Sequence, residues 1–235
     1  MRFVFIDEVE QQKKNPDFFG LGIFIVDSFF YSTLHSRFHT HFNNCGWNKE
    51  IEFKGRYLFS KKGDSNIDID KRIQLVDNLA EDTVAKKNSR CKFIFFYNFK
   101  KKTKNNYLDL VKNGLNALDK TSKKGGKNLV SIYYDDTDLV TPKDLNEITD
   151  SALSRRGLLQ VEIPCNIKAC YKSVGIIYSD VLSYLKSWDV LTPRPNDGEE
   201  ANLFELEGIQ RNKEKLAKIK GILTKIKSVY TKQIN

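Results

Sequence analysis

The sequence contains no long hydrophobic run, so no transmembrane helix is expected. None of its apolar stretches reaches the roughly 18 residues that a transmembrane helix needs. Its first residues also lack the basic segment and long apolar stretch of a secretory signal. We therefore expect a cytoplasmic protein that makes no contact with a membrane interior.

Cysteine is scarce, and its spacing is typical of neither a zinc site nor a disulfide framework. Four scattered cysteines in 235 residues suit free thiols in a reducing cytosol. Cys165 and Cys170 are close enough in sequence to be considered as zinc ligands. Because no second pair accompanies them, we expect core thiols instead.

Histidine occurs only three times, and no motif of nucleophilic catalysis accompanies it. His35 and His39 are four residues apart, so they share one face of a helix predicted over residues 28–44. This spacing suits zinc, but no matching acids surround it, so a polar helix face close to nucleic acid is the preferred interpretation. No nucleophile elbow is present, and Gly20-Leu21-Gly22 does not open a helix as a nucleotide-cradling loop would.

Positive charge is in excess. Lysine and arginine total 39 against 30 acids, which gives a net charge of +9 and a pI of about 9.2. This excess favours a polyanionic partner, most simply nucleic acid. Lysines cluster at residues 100–104, at residues 120–127 and near the C-terminus, although any one cluster also fits a solvated loop or helix face.

Apolar patterning predicts an α/β domain. Strands are predicted at residues 2–6, 18–26, 91–97, 129–134 and 158–163, and helices at residues 28–44, 70–87, 105–119 and 169–188. Residues 9–17 are expected to form a turn or loop, and residues 50–59 a short strand or an ordered loop. Thr141 and Pro142 resemble a helix start, with Thr141 as the N-cap. Alternating strands and helices favour a mixed sheet flanked by helices, opened by a hairpin.

The C-terminal part differs in composition from the rest. Residues 1–190 form the predicted domain, residues 191–200 a linker, and residues 201–235 a basic amphipathic helix. We expect this helix to dock on the domain or to form a homodimer, with some phosphate contact; a nucleic-acid clamp, a protein-binding helix and a membrane-surface helix are alternatives. Its apolar stripe comprises Leu216, Ile219, Ile222, Leu223, Ile226, Val229 and Tyr230.

Four acids adjoin apolar segments, and together they predict a metal site. Asp7 and Asp135 end predicted strands, where the sites of open α/β folds lie. Asp180 interrupts a largely apolar helix, and Glu52 stands two residues before Lys54. Hard cations such as Mg²⁺ and Mn²⁺ take carboxylate oxygens, and two such ions suit phosphodiester hydrolysis.

These short motifs resemble the family called domain of unknown function 3800, which has a ribonuclease-H-like fold. Members of that family open with a strand ending in Tyr-Ile-Asp-Glu-Ser-Gly, followed by a Glu-x-Lys element, a strand ending in Asp and a late helix with Leu-Gln-x-Ala-Asp. The corresponding segments here are Phe5-Ile6-Asp7-Glu8, Glu52-Phe53-Lys54, Tyr134-Asp135 and Ile176-Ile177-Tyr178-Ser179-Asp180. Val9-Glu10, Ile177 and Ser179 depart from the family pattern, whereas all the acids are kept.

The resemblance implies a metal-dependent nuclease that acts on DNA or RNA, with a possible role in bacterial or phage defence. In this hypothesis Asp7 bridges two Mg²⁺ or Mn²⁺ ions, and Asp135 and Asp180 complete the metal shell. Glu52 holds the second ion, and Lys54 holds a phosphate oxygen or the nucleophilic water, or else pairs with Glu52.

Two neighbouring acids receive other roles. Strand alternation points Glu8 to the face opposite Asp7, so we expect Glu8 to be a supporting or structural acid. Asp136 is the substitute for Asp135 if the strand register differs by one residue.

Two further hypotheses stay open, and the departures from the family pattern motivate the first of them. The chain could be a catalytically silent module that binds nucleic acid or protein on the same fold. It could also be a phosphotransferase or nucleotide hydrolase.

Overall fold

A computed structural model describes residues 1–10, 17–58, 66–84, 90–118, 128–168, 170–191, 213–226 and 230–234. The strands are β1 (Arg2–Glu10), β2 (Phe18–Asp27), β3 (Cys91–Phe99), β4 (Asn128–Asp135), β5 (Leu158–Gln160), β6 (Cys165–Ile167) and β7 (Tyr230–Gln233). The helices are α1 (Ser28–Cys45), α2 (Gly55–Leu58), α3 (Ile69–Val84), α4 (Lys104–Asn116), α5 (Pro142–Ser154), α6 (Val174–Leu191) and α7 (Lys213–Ile226).

The strands form one mixed sheet in the order β5-β4-β1-β2-β3-β7, and β6 also pairs with β4. Strand β2 runs antiparallel to its neighbours β1 and β3, whereas the pairs β1–β4, β3–β7, β4–β5 and β4–β6 are parallel. The prediction of an α/β fold with a mixed sheet flanked by helices and an opening hairpin is therefore confirmed.

Helices cover both faces of the sheet, and this explains the apolar runs of the central strands. One buried cluster joins a face of the sheet to α1, α3, α6 and α7. A second cluster joins the opposite face to α4 and α5. All but the last residue of β2 are buried, as expected for a strand whose side chains meet apolar surface on both sides.

The largest differences in strand limits affect β1 and the strand predicted at residues 158–163. Strand β1 continues to Glu10, because its pairing with β2 extends to the Glu10–Phe19 pair. The loop predicted at residues 9–17 is therefore wrong for residues 9 and 10, and residues 11–16 lie outside the described part. The strand predicted at 158–163 is shorter in the structure, since β5 ends at Gln160, and β6 is a separate strand beyond the predicted range that begins after Pro164 and pairs with a different part of β4.

Two helical segments also differ from the predictions. Helix α6 begins at Val174 rather than residue 169, after a turn in which the Ser173 amide donates to the Cys170 carbonyl at 2.8 Å. Residues 51–54 are irregular and lead into the single turn α2. The predicted N-cap at Thr141 is confirmed, since its hydroxyl accepts from the Asp144 amide and Asp144 bonds back in a capping box.

The C-terminal segment contains a strand, although its apolar periodicity predicted only a helix. Residues 201–235 are not one helix, because β7 pairs in parallel with β3 after α7 ends at Ile226. The predicted docking of the apolar stripe is confirmed for Ile219, Ile222 and Leu223, which are buried in the core cluster of that face. Residues 192–212 include most of the predicted linker and lie outside the described part.

Two of the four cysteines are buried and two are exposed. Cys45 and Cys91 are buried, but Cys165 and Cys170 are exposed, so the expectation of core thiols is wrong for this pair. Cys165 lies on the short strand β6, and Cys170 lies in the turn before α6.

None of the described helices is long and apolar enough to cross a lipid bilayer.

Candidate active site

Two carboxylates come together because β1 and β4 are parallel neighbours. The pairing of Ile6 with Tyr134 is followed along the two strands by Asp7 and Asp135. Both residues are buried, with 5% and 9% of their surfaces exposed. Asp7 lies within β1 rather than at its end. In the sheet it lies beside Asp135, the last residue of β4. Alternation places both side chains on the face that α6 covers.

Helix α6 approaches this face closely because small residues recur along it. Gly175, Ser179 and Ser183 are spaced four residues apart, so they lie along one side of the helix. A Cβ atom at Gly175 would clash with the Phe5 ring. The Ser179 hydroxyl donates to the Gly22 carbonyl at 3.0 Å. Since Gly22 pairs with Asp7 in the hairpin, this contact brings Asp180, the next residue of α6, to the carboxylate pair.

A backbone amide fixes the third carboxylate. The Gly55 N–H donates to Asp180 Oδ2 at 2.6 Å, which joins the start of α2 to α6. A Cβ atom at Gly55 would lie 2.7 Å from Cβ of Tyr184 and 3.1 Å from the Asp180 carbonyl oxygen. Glycine is therefore required for this close approach. We refer to Asp7, Asp135 and Asp180 as the carboxylate cluster.

Burial and mutual repulsion change the acidity of the cluster. Burial raises the pKa of Asp7 well above its ordinary value, and the charges of Asp180 and Asp135 raise it further. Burial likewise raises the pKa of Asp180 to about 6, although the Gly55 amide and Lys54 act in the opposite direction. Such a cluster accumulates negative charge that the protein alone offsets poorly, which is the condition that a bound cation relieves.

Lys54 supplies the neighbouring positive charge. Its Nζ atom lies 3.1 Å from Glu52 Oε1 and 3.9 Å from Asp135 Oδ2. Burial lowers the pKa of Lys54, but the hydrogen bond with Glu52 and the charges of Asp135 and Asp180 outweigh burial and raise it overall. Lys54 therefore remains an ammonium group beside the cluster. Glu52, with 42% of its side chain exposed, is connected to the cluster through Lys54.

The two acids next in sequence to the cluster lie elsewhere. Glu8 accepts from Lys102 at 2.9 Å, and Lys102 also pairs with Glu10 at 2.9 Å. Since Glu8 and Glu10 alternate with Asp7 along β1, the prediction that Glu8 faces away from Asp7 is confirmed. Asp136 is exposed and accepts from the Asn166 side-chain amide at 3.1 Å. The register therefore places Asp135, not its substitute Asp136, beside Asp7.

The donors of the cluster fit a hard divalent cation in their chemistry. Carboxylate oxygens are the preferred ligands of Mg²⁺ and Mn²⁺. Across the part of the chain that the structure describes, no group of three or more His, Cys, Asp or Glu side chains is already spaced to hold a metal ion.

The histidines have local partners. The Nε2 atoms of His35 and His39 lie 3.3 Å apart on α1, and burial and the charge of His35 lower the pKa of His39. His41 lies 3.4 Å from Asp82. Asp82 also accepts from Arg37 and from the Tyr178 hydroxyl, so it connects α1, α3 and α6.

Gly55 and Ser179 are the site residues that sequence reasoning missed. Gly55 directly follows Lys54, and the signal was a glycine at the end of a Glu-x-Lys element. Ser179 was noted only as a departure from the family pattern. The four-residue spacing of Gly175, Ser179 and Ser183 was the available sign of a closely packed helix.

Comparison with known proteins identifies no relative: no family model matches the chain, and neither the curated proteins nor the solved structures yield a significant match.

Proposed function

We propose that this protein is a metal-dependent nuclease that hydrolyses phosphodiester bonds of DNA or RNA. The observation that carries the proposal is the carboxylate cluster, in which β1, β4 and α6 bring together the buried Asp7 and Asp135 and the partly buried Asp180, and the charges of Asp180 and Asp135 raise the pKa of Asp7. A structural role alone does not explain this arrangement, because buried like charges destabilise a fold. Mg²⁺ or Mn²⁺ bound there would supply an acidified water and positive charge for the leaving oxygen.

The residues have distinct roles in this proposal. Asp7 would be the central ligand of the metal, since it adjoins Asp135 in the sheet and interacts electrostatically with both other carboxylates. Asp135 and Asp180 are its partners, and the Gly55 amide orients the Asp180 carboxylate. Glu52 would have to leave Lys54 in order to reach a second ion.

Lys54 binds the substrate in this proposal. Its ammonium group lies at the edge of the cluster and stays protonated, so it can donate to a nonbridging phosphate oxygen. Release of Glu52 from Lys54 on substrate binding would free both residues for these roles.

The mixed sheet flanked by helices is compatible with the ribonuclease-H-like fold that the resemblance to domain of unknown function 3800 implies. Membership of that family, and any role in defence, remain part of the proposal. The positions of the four acids and the excess of positive charge support it.

A cleavage assay tests the proposal. Labelled single- and double-stranded DNA and RNA are incubated with wild-type protein and with Asp7→Ala, in Mg²⁺, Mn²⁺ or EDTA. We expect cleavage that requires metal and falls by about 100-fold or more in Asp7→Ala, the scale typical for loss of a preorganised charge-stabilising group.

Asp136→Ala is the matched control, because it removes a nearby exposed carboxylate that lies outside the cluster. It should cleave like the wild type. Full metal-dependent cleavage by Asp7→Ala would reject the assignment of Asp7.

A catalytically silent binding module is the second candidate. The observation that favours it is that Val9, Glu10, Ile177 and Ser179, which stand near Asp7 and Asp180 in the sequence, depart from the pattern of the family that the chain resembles. Tight nucleic-acid binding without cleavage, equal in wild type and Asp7→Ala, would support this candidate. Turnover of free nucleotides without polymer cleavage would instead indicate a phosphotransferase or nucleotide hydrolase.

A further inference from the structure

Three aromatic side chains meet where β2 begins and β3 ends, and we call them the aromatic platform. Phe18 lies with its ring centroid 5.8 Å from that of Tyr97 in a stacked arrangement. The ring of Phe99 lies edge-on to both, at 6.0 Å from Phe18 and 5.8 Å from Tyr97. These contacts hold the rings in a fixed orientation before any ligand arrives.

The solvent exposure of the three rings of the platform increases from the core outward. Phe18 is buried, Tyr97 is partly buried against the core, and Phe99 is 43% exposed. Toward the interior, the same face of β3 continues with Phe95, whose ring stacks on Tyr97 at 6.1 Å. The outermost rings thus present aromatic surface to solvent on a support that is rigidly packed.

The platform lies on the same face and at the same edge of the sheet as the carboxylate cluster. Asp7 pairs with Gly22, which pairs with Phe95. Asp7 and Phe95 are therefore two strands apart, about 10 Å, and on the same face. Tyr97 and Phe99 follow Phe95 at two-residue intervals toward the edge where β4 ends. A chain that crosses the cluster can therefore reach the platform with its next units.

Positive charge surrounds this edge. Lys100 and Lys101 directly follow Phe99, and both are exposed. At the cluster, Lys54 Nζ lies 3.9 Å from Asp135 Oδ2, and the exposed Arg56 follows two residues later in the chain. Aromatic surface next to cations is complementary to a polymer that carries both flat bases and phosphates.

We propose that the aromatic platform stacks an unpaired base of a single-stranded nucleic acid whose backbone crosses the carboxylate cluster. The nature of the polymer rests on the proposed nuclease function. A duplex does not fit this surface, because its base faces are stacked within the helix and are not available to the Phe99 ring. Stacking tolerates any base, so the platform selects strandedness rather than sequence.

Binding measured in EDTA, where cleavage is suppressed, tests the proposal. The probes are fluorescent single-stranded DNA and RNA, the same strands with abasic positions, and the corresponding duplexes. We expect Phe99→Ala to weaken single-strand binding about 5- to 100-fold, the range for loss of one base–aromatic stack. Phe99→Trp should restore it. The wild type should lose a similar factor on abasic strands, and Phe99→Ala should no longer distinguish them from intact strands.

Phe29→Ala is the matched control. Phe29 is 90% exposed at the start of α1, near the opposite edge of the sheet, so its removal should leave binding unchanged. If Phe99→Ala melts earlier than Phe29→Ala, Phe99→Leu takes its place, since leucine keeps apolar volume without an aromatic ring.

Several outcomes overturn the stacking proposal. These are wild-type affinity of Phe99→Ala for single strands, equal binding of intact and abasic strands, or tighter binding of duplexes than of single strands. If any of these results occurs and the protein still cleaves duplexes in the presence of metal, only the stacking role is rejected and the proposed nuclease function is not. Base-dependent binding without cleavage in any metal supports the platform and rejects the nuclease.

Discussion

The Asp180 carboxylate lowers the stability of the metal-free protein as the pH rises. Its pKa rises to about 6 from an ordinary value of 3.8, so between these pH values the folded chain holds a proton that the unfolded chain has released. The stability that this proton contributes is complete below about pH 4 and is lost as the pH rises through 6.

Asp180→Asn should therefore stabilise the metal-free protein at neutral pH. Asparagine has no charge to bury, and its carbonyl oxygen can still accept from the Gly55 amide. We expect a gain of about 1–3 kcal/mol at pH 7, which includes a reduction for the partial exposure of this residue, and almost none at pH 4. Thermal unfolding in EDTA across this pH range measures it. A wild type that matches the variant at every pH would contradict the pKa assigned to Asp180.

Gly55 permits a close approach that any side chain would block. In Gly55→Ala the new methyl group meets Cβ of Tyr184 and the backbone of α6, so α2 must move away and the bond to Asp180 lengthens. We expect the free energy of unfolding to fall by about 1–3 kcal/mol. The cleavage rate should fall by a larger fraction of its wild-type value than the free energy of unfolding does. Urea unfolding and the cleavage assay measure the two effects.

Gly221→Ala is the control for this substitution. Gly221 lies in α7 with open space around its Cβ position, so alanine there should be neutral or slightly stabilising. Equal behaviour of the two variants would show that the contact between α2 and α6 is unimportant.

At the scale of elements, α7 is held by an apolar stripe and by ion pairs to α3. Ile222 is buried with 2% exposed, and Lys225 lies 2.6 Å from Asp77 and 2.8 Å from Glu81. The ion pairs are partly exposed and contribute little, so burial of the stripe provides most of the docking energy.

Ile222→Ala should consequently cost about 2–5 kcal/mol, the range for buried isoleucine. The exposed neighbour Lys220→Ala should stay within about 0.5 kcal/mol of the wild type. Urea unfolding of the full chain distinguishes them. Similar midpoints for the two variants would mean that α7 does not contribute to the cooperative fold.

The elements also show what sequence patterning can predict. Alternating apolar segments predicted α1, α3, α4 and the central strands, because their periodicity reflects burial on one or both faces. The pattern could not predict β7, since Tyr230–Gln233 has few apolar residues and becomes a strand only by pairing with β3. It also missed the extension of β1, because Val9 and Glu10 owe their conformation to partners in β2.

At the scale of the whole molecule, some residues of the site could be predicted from the sequence and others could not. Strand ends and isolated acids in apolar segments predicted Asp7, Asp135 and Asp180, because a buried charge is conspicuous in a sequence. The role of Gly55 could not be predicted, since its backbone amide acts only once α2 and α6 are packed. The exposure of Glu52 and its pairing with Lys54 likewise depend on tertiary structure.

The account as a whole depends on the carboxylate cluster being a metal site. Mn²⁺ binding to the full chain, measured by electron paramagnetic resonance, tests this directly with Asp135→Asn beside Asp136→Asn. The two residues are adjacent, but only Asp135 faces the cluster. We predict that Asp135→Asn weakens Mn²⁺ binding at least tenfold and that Asp136→Asn binds like the wild type. Equal Mn²⁺ affinity in both variants, or no Mn²⁺ binding by the wild type with nucleic acid present, would contradict the account.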